Sequence, residues 1–222
     1  MDGKLFVIDG LDGSGKATQK ELLINHLSDE NIPVRGLSFP NYESPSSALV
    51  KMYLAGEFGQ KPDDVNAYAA SSFYAVDRYA GCKQDWGAYY SQGGFVLADR
   101  YTTSNLIHQC AKLPYAQWNE YHDWLEEFEY KKLGIPAPHS VFFLDVDPDV
   151  SQELLAVRYQ NEDKRDIHER DLAYLQRCRD VALWCVQNYG WIQVLCTQEK
   201  KMRPAGEIHA ELYALVKESL ET

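Results

Sequence analysis

Residues 10–16 read Gly-Leu-Asp-Gly-Ser-Gly-Lys and fit the pattern G-x-x-x-x-G-K. The apolar run 4–9 before them predicts a short buried strand, and the stretch from Lys16 to about Asn31 predicts a helix. Glycines in this setting let successive backbone N–H groups surround phosphate oxygens, and the helix N-terminus adds positive partial charge. The sequence therefore predicts a phosphate-binding loop (P-loop) for ATP, formed by Gly10, Asp12, Gly13, Ser14, Gly15, Lys16, Ala17 and Thr18.

Lys16 is the cation that such a loop offers to the outer phosphates. We expect its side chain to be exposed to the ligand, so that its removal changes stability little. The next position departs from the motif, because Ala17 stands where Ser or Thr usually ligates magnesium. Thr18 points about 100° further around the helix and does not simply replace it. Either other groups hold the metal, or the protein binds nucleotide without turnover.

Composition narrows the class of protein. The chain has 222 residues, of which 45% are hydrophobic, so we expect one folded domain over residues 1–222. The net charge of -11 argues against a partner that is polymeric nucleic acid, but not against a small anionic ligand. No apolar run reaches membrane-spanning length, the first residues do not resemble a signal peptide, and the five cysteines form no CxxC pair. We expect a cytoplasmic protein without a membrane partner.

Strand-like and helix-like segments alternate along the chain. Further strands are predicted at 33–38, 95–98, 140–145 and 191–195. Helices are predicted at 46–56, 63–90, 102–111, 116–132, 149–159, 167–188 and 205–220. This alternation predicts an α/β fold of the P-loop NTPase type, a three-layer αβα sandwich around a five-stranded parallel sheet. The polar stretch at about 158–166 predicts a short lid.

A second candidate site is the sequence Asp99-Arg100-Tyr101, directly after the predicted strand 95–98. Groups at the carboxyl ends of parallel strands face the ligand crevice. There Asp99 could orient a metal-bound water or a phosphate, and the planar fork of Arg100 could bridge two phosphates. An ordinary surface ion pair is the alternative.

Taken together, these motifs resemble the thymidylate kinase family over nearly the whole chain. The P-loop alone occurs in many nucleotide-binding proteins, whereas several family motifs in the right order are specific. Besides the P-loop and Asp99-Arg100-Tyr101, the motifs are Phe39-Pro40 followed by Tyr42, Tyr74 four residues before Arg78, Ser104-Asn105, and the acidic pair of Asp166-Ile-His-Glu169 after the lid.

The resemblance implies transfer of the γ-phosphoryl group of ATP to dTMP, with Mg²⁺ as cofactor and a homodimeric assembly. It implies that Tyr74 stacks on the thymine ring and that Arg78, one turn further on, donates to the base carbonyl O4. Asn105 carries a donor and an acceptor, which suits the amide edge of thymine. Further dTMP-binding residues implied are Arg100 and Tyr42 at the acceptor phosphate, Asp12 near the sugar or the metal, and Phe39. Gln109 and the preceding His108 are expected only as pocket wall.

Phosphoryl transfer needs positive charge on the transferring group. The P-loop contains no arginine, so the candidates are Arg158, Lys164 and Arg165 in or beside the lid, unless that stretch is an ordinary solvated loop. For the metal we expect Asp12 with Asp166 or Glu169, although acidic residues there could instead stabilise a helix N-terminus. Another small-molecule P-loop kinase and a nucleotide-binding relative without turnover remain the alternative functions.

Overall fold

The central strand of the sheet is buried on both faces. The computed structural model describes residues 3–158, 168 and 171–221. In β1 (Lys4–Gly10), Leu5 and Val7 belong to one hydrophobic core, whereas Phe6 and Ile8 belong to the core on the opposite face. Burial on both faces is typical of strands in parallel sheets covered by helices.

Five parallel strands form the sheet in the order β2-β3-β1-β4-β5. The other four strands are β2 (Val34–Ser38), β3 (Phe95–Asp99), β4 (Ser140–Asp145) and β5 (Ile192–Leu195). The chain builds one half of the sheet beside β1 and then crosses to build the other half. Because ligands bind beyond the carboxyl ends of strands where the order reverses, this topology places a crevice at the ends of β1 and β3.

Helices cover both faces of the sheet, which confirms the predicted three-layer fold. One face packs against α1 (Lys16–Asp29) and α9 (Ala205–Glu221). The opposite face packs against α3 (Ala67–Gly81), α5 (Thr102–Cys110) and α8 (Leu172–Tyr189). The remaining α-helices of the described chain are α2 (Ala48–Leu54), α4 (Gly87–Ser91), α6 (Trp118–Glu126) and α7 (Pro148–Arg158). Within the described ranges, no helix is long and apolar enough to cross a membrane.

Two predicted long helices are interrupted. The helix predicted over 63–90 starts later than predicted, at Ala67, after a 3₁₀ turn (Pro62–Asp64). It continues through a π-helical turn (Cys82–Trp86) that lies between α3 and α4. The predicted helix 116–132 likewise consists of a 3₁₀ turn, α6 and a π-helical turn (Glu127–Lys132). Hydrophobic spacing does not register the one extra residue that a π turn inserts.

A small hairpin near the C-terminus was not predicted from the sequence. It pairs β6 (Thr197–Gln198) with β7 (Lys201–Met202) in antiparallel orientation, immediately before α9. Each strand has two residues, too short to produce a recognisable alternation of polar and apolar residues. The hairpin brings Met202 to the P-loop, where its Cε lies 3.7 Å from the position that a Cβ on Gly15 would occupy.

Replacing Asn66 tests the start of α3. The Asn66 side chain accepts a hydrogen bond of 2.8 Å from the backbone N–H of Ala69. Because Asn66 is exposed, its replacement by Ala removes mainly this cap, and we expect the free energy of unfolding to fall by about 1 kcal/mol. Urea denaturation measures the change, and Asn66→Asp, which keeps an acceptor, serves as the control. Equal stability of Asn66→Ala and the wild type would contradict the cap.

Candidate active site

A cavity of about 810 Å³ lies at the carboxyl ends of β1 and β3. Fourteen of the residues predicted for ligand binding or catalysis line it: Asp12, Gly13, Gly15, Lys16, Ala17, Thr18, Phe39, Tyr42, Tyr74, Arg78, Asp99, Arg100, Asn105 and Gln109. Gly10 ends β1 and Ser14 lies in the loop that follows it, and both residues are buried. The side chains of Arg158, Lys164, Arg165, Asp166 and Glu169 lie outside the described residues. The predicted P-loop, base-side and strand-end residues therefore share one cavity.

The P-loop backbone has the conformation that its glycines allow. Gly13 and Gly15 have φ angles of 80° and 86°, in the left-handed region that residues with a side chain rarely adopt. Gly15 is also the N-cap of α1, and no side chain caps this helix. The first N–H groups of an α-helix have no partner within the helix. Here they belong to residues that line the cavity, an arrangement that suits an anionic ligand.

Lys16 is more buried than expected. Only 7% of the residue is exposed, and its Nζ donates to the carbonyl oxygens of Gly10 at 3.0 Å and Leu11 at 2.8 Å. Burial lowers the pKa of Lys16, and the nearby Arg100 guanidinium lowers this pKa further. The expectation of an exposed lysine is wrong. Because removal of Lys16 would leave two buried carbonyl groups without this donor, we now expect the substitution to lower stability.

Arg100 is held inside the cavity wall. Its φ of 65° is unusual for a residue with a side chain. The Nη2 atom donates to Asp12, and Nη1 donates to Ser104 Oγ at 3.1 Å and to His108 Nε2 at 3.2 Å. Burial alone would raise the pKa of Asp12, but the charges of Arg100 and Lys16 hold that pKa well below its usual value. This arrangement differs from an ordinary surface ion pair, because the Arg100 side chain is only 15% exposed.

At the other end of the cavity, Arg78 forms a buried ion pair with Glu129. Arg78 Nε donates to Glu129 Oε2 at 2.7 Å, and Arg78 Nη2 donates to Glu129 Oε1 at 2.5 Å. The third donor, Nη1, reaches the carbonyl oxygen of Tyr101 at 3.2 Å. Burial opposes the charge of Arg78, but Glu129 keeps its pKa above the ordinary value. Glu129 was not singled out from the sequence, because its partners are distant in the chain.

Of the two hydrogen-bonding groups of the Asn105 amide, only the oxygen is left for a ligand. Its Nδ2 donates to the carbonyl oxygen of Ser71 at 3.1 Å and to Glu129 Oε1 at 3.2 Å. Both amide hydrogens are thereby used, and Oδ1 has no hydrogen-bond partner among the described residues. The expectation that Asn105 offers a donor as well as an acceptor is corrected, since the acceptor alone remains for a ligand.

The aromatic and amide side chains around this end complete the pocket. Tyr74 is half-buried, and its ring lies edge-on to that of Tyr53, with 6.3 Å between the ring centroids. Phe39 is buried against Tyr101, and Tyr42 lies at the rim with half of its surface exposed. Gln109 is buried, yet neither its nitrogen nor its oxygen has a hydrogen-bond partner in the described part of the chain. Buried amides without partners are uncommon in proteins, which favours a ligand as the missing partner.

Two histidines form part of the same wall. The rings of His168 and His108 are nearly parallel, with 5.4 Å between their centroids. His168 Nε2 lies 2.8 Å from the hydroxyl of Tyr53. Burial, reinforced by Arg100, lowers the pKa of His108 well below its usual value, and burial lowers the pKa of His168 to about 3. Both rings are therefore neutral at pH 7, and His108 accepts from Arg100. From the sequence, His108 was noted only as pocket wall.

Together, the parallel sheet, the glycine-rich loop after β1 and the Asp-Arg pair after β3 define a P-loop nucleotide kinase. A sequence model of the family "Thymidylate kinase" matches residues 8–206. A thymidylate kinase of Mycobacterium tuberculosis is 31% identical over 196 residues, covering 86% of this chain and 90% of the relative. One from Caenorhabditis elegans is 27% identical, covering 84% and 83%.

The fold agrees with these similarities. A solved structure of thymidylate kinase from Candida albicans superposes with a TM-score of 0.71 at 21% identity, covering 97% of this chain and 92% of the other. The chain belongs to the thymidylate kinase family. This confirms the family, the fold and the enzyme class that the sequence motifs predicted.

The buried His108 predicts a loss of stability in acid. The unfolded state takes up a proton near pH 6.5, whereas folded His108 does so only at lower pH, so stability is present above 6.5 and falls as the pH drops. The slope for one such proton is about 1.4 kcal/mol per pH unit. We expect His108→Gln, which retains an acceptor, to lose less stability than the wild type between pH 6.5 and 5. Urea denaturation at each pH measures both slopes, and identical slopes would contradict the buried neutral imidazole.

Proposed function

We propose that this protein transfers the γ-phosphoryl group of ATP to dTMP, giving dTDP and ADP. The observation that carries the proposal is the polarity of the cavity. One end offers backbone N–H groups, Lys16 and Arg100 to phosphates, and the other offers a donor, Arg78, and an acceptor, the Oδ1 of Asn105. A nucleoside monophosphate that carries an amide edge on its base matches both ends.

The acceptor nucleotide is recognised through base and phosphate. Thymine presents the carbonyl O4 as an acceptor and N3–H as a donor, which match Arg78 and the free oxygen of Asn105. The half-buried ring of Tyr74 lines the cavity, and in this proposal it stacks on the base. Arg100 and Tyr42 bind the acceptor phosphate in this proposal. Phe39 and the unpaired amide of Gln109 complete the pocket around the nucleotide.

The donor nucleotide binds along the P-loop. The β- and γ-phosphates accept from the N–H groups that begin α1, and Lys16 exchanges its carbonyl partners for phosphate oxygens. Transfer then needs the two nucleotides in line and positive charge around the moving group. We assign that charge to Lys16 and Arg100, and to Arg158, Lys164 and Arg165 of a lid over about residues 158–166; the side chains of these last three lie outside the described part. The lid belongs to a single kinase domain.

Mg²⁺ fits the carboxylates of this cavity. Asp12 and Asp99 both line it, and Asp99 makes no side-chain hydrogen bond or ion pair with the described residues. No group of three or more metal-binding side chains occurs in the described chain. Mg²⁺ needs only one or two carboxylates when phosphates and waters supply its other ligands. Asp12 and Asp99, with Asp166 or Glu169, would hold the ion, which neutralises phosphate charge.

A homodimer is part of the proposal because α3 exposes an apolar face. Tyr68, Val76 and Tyr79 are 37%, 49% and 37% exposed and lie at helical spacing along one side. The Tyr68 ring lies edge-on to Trp124 of α6, with 4.7 Å between the ring centroids, so this apolar surface extends to α6. Exposed apolar side chains repeated along one side of a helix favour a protein partner, here a second copy. The five cysteines are free thiols, which supports a reducing, cytoplasmic location.

A coupled assay of ADP release tests the reaction across dTMP, dUMP, dGMP, AMP and thymidine. We expect dTMP to give the highest kcat/KM and dUMP to follow, because one methyl group in an apolar pocket discriminates by about 10–200-fold. Purine monophosphates and unphosphorylated thymidine should be poor acceptors. A different preferred acceptor would support another small-molecule kinase, and nucleotide binding without ADP release would support a relative without turnover.

Replacing Lys16 tests the P-loop. We expect Lys16→Ala to lower kcat/KM by at least about 100-fold, since the charge acts on the transferring phosphoryl group in a site shielded from water. The variant should also melt at a lower temperature, because Lys16 binds two loop carbonyls. Lys20→Ala is the matched control, as Lys20 lies one turn further along α1 and outside the cavity lining. Unchanged turnover in Lys16→Ala would exclude this lysine from the mechanism.

Magnesium titrations of activity test the metal ligands. We expect Asp12→Asn and Asp99→Asn to need more magnesium for half-maximal activity, with partial rescue by excess metal, because each change removes an anionic oxygen ligand. Asp166→Asn and Glu169→Gln apply the same test to the acidic pair. Asp29→Asn, an exposed substitution at the far end of α1, is the control. If all four variants keep the wild-type magnesium dependence, the metal is held elsewhere.

A further inference from the structure

Glu129 connects Arg78 and Asn105, the two residues at the base end of the cavity. Glu129 itself does not line the cavity. It lies in the π-helical turn Glu127–Lys132, and it is completely buried. Its Oε1 accepts from both Arg78 Nη2 and Asn105 Nδ2, while its Oε2 accepts from Arg78 Nε. One carboxylate therefore orients a cation and an amide that come from two different helices, α3 and α5.

The hydrogen bonds determine what each side chain can offer to a ligand. The Nδ2 group of Asn105 has two acceptors around it, Glu129 Oε1 and the carbonyl oxygen of Ser71. Rotating this amide by 180° would bring Oδ1 against both of these oxygens, and no hydrogen bond could form there. Arg78 has only donors. The pocket consequently presents a fixed donor and a fixed acceptor.

We propose that Glu129 is a positioning residue that sets the choice of pyrimidine, by keeping the oxygen of Asn105 directed to the ligand. This inference rests on the proposed dTMP kinase function. A base with a carbonyl at position 4 and a hydrogen on N3, such as thymine, matches the fixed pair. Cytosine carries an amino group at position 4 and a bare N3, so its donor faces Arg78 and its acceptor faces Asn105. Selectivity then arises from mismatches against the wrong base as well as from bonds to the right one.

A carboxylate suits this role better than an amide. Glu129 can only accept when ionised, whereas Gln at this position would carry a donor as well. With Glu129→Gln, a rotated Asn105 could accept from the new amide nitrogen, so one of the two obstacles to rotation disappears. The substitution also removes the charge that pairs with Arg78, and a buried charge that loses its partner is destabilising.

The test compares dTMP with 5-methyl-dCMP, because these two nucleotides differ only along the amide edge of the base. We expect the wild type to prefer dTMP by at least about 100-fold in kcat/KM, since a site built for hydrogen bonding strongly rejects a mismatched ligand. In Glu129→Gln the ratio should fall by about tenfold or more, with the KM for ATP unchanged. Tyr121→Phe is the matched control: it removes a hydroxyl that bonds Ser71 Oγ and lies 3.5 Å from the carbonyl oxygen of Asn105. It leaves the side-chain hydrogen bonds of Glu129 with Arg78 and Asn105 in place. It should keep the wild-type ratio.

The outcomes separate this inference from the proposed function. If Glu129→Gln keeps the wild-type ratio of kcat/KM for the two nucleotides, the inference is overturned. This holds whether both values are unchanged or both fall by the same factor, which would indicate a purely structural role. If Glu129→Gln does not fold, Glu129→Asp keeps the charge beside Arg78 but shortens the reach to Asn105. Its ratio should then fall, and an unchanged ratio would again overturn the inference. A wild type that does not phosphorylate dTMP would overturn the proposed function as well.

Discussion

The ion pair between Asp12 and Arg100 is the interaction on which the site depends. Buried charges are tolerated when they are paired and hydrogen-bonded, and both conditions hold here. Asp12 accepts from Arg100, while the neighbouring Asp9, fully buried, accepts from the hydroxyl of Thr103 at 2.5 Å and the backbone N–H of Gly10 at 2.8 Å. Through these bonds the end of β1, the P-loop and the start of α5 are fixed relative to one another. The left-handed backbone of Arg100 is compatible with this network, because the pairing compensates a conformation that would otherwise be unfavourable.

The same principle operates at the base end of the cavity. Arg78 and Glu129 form a second buried pair, and the polar atoms around them are almost fully used by one another. What remains free is therefore specific: nitrogen donors of one side chain and the oxygen of another. Amides and hydroxyls that can rotate would accept several bases. A pocket whose donors and acceptors are fixed by hydrogen bonds within the protein excludes a mismatched base more effectively. In the proposed recognition of the base, specificity comes from side chains that the ligand does not touch as much as from those that it contacts.

The sequence could predict the features that depend on local chemistry. The P-loop follows from glycines between a strand and a helix, and the position of Arg100 follows from the end of β3. Glu129 could not be predicted, because a π-helical turn shifts the helical spacing and its partners, Arg78 and Asn105, lie 51 and 24 residues away in the chain. The burial of Lys16 was missed for a related reason, since the motif shows what the lysine does for a phosphate but not what it contacts within its own loop.

The balance of charge around the P-loop explains why groups outside this cluster are needed. The charges of Lys16 and Arg100 lie within electrostatic range of three carboxylates: Asp9, Asp12 and Asp99. With two cations against three carboxylates, the described cluster is already negative before any phosphate enters. The phosphates of two nucleotides add further negative charge in a partly buried space, where charges interact more strongly than in water. Positive charge must therefore arrive with the substrates or from elsewhere in the chain. This physical requirement is why a divalent cation on the ATP phosphates and the basic residues of 158–166 belong to the proposed mechanism, although the P-loop contains neither the magnesium-binding hydroxyl nor an arginine.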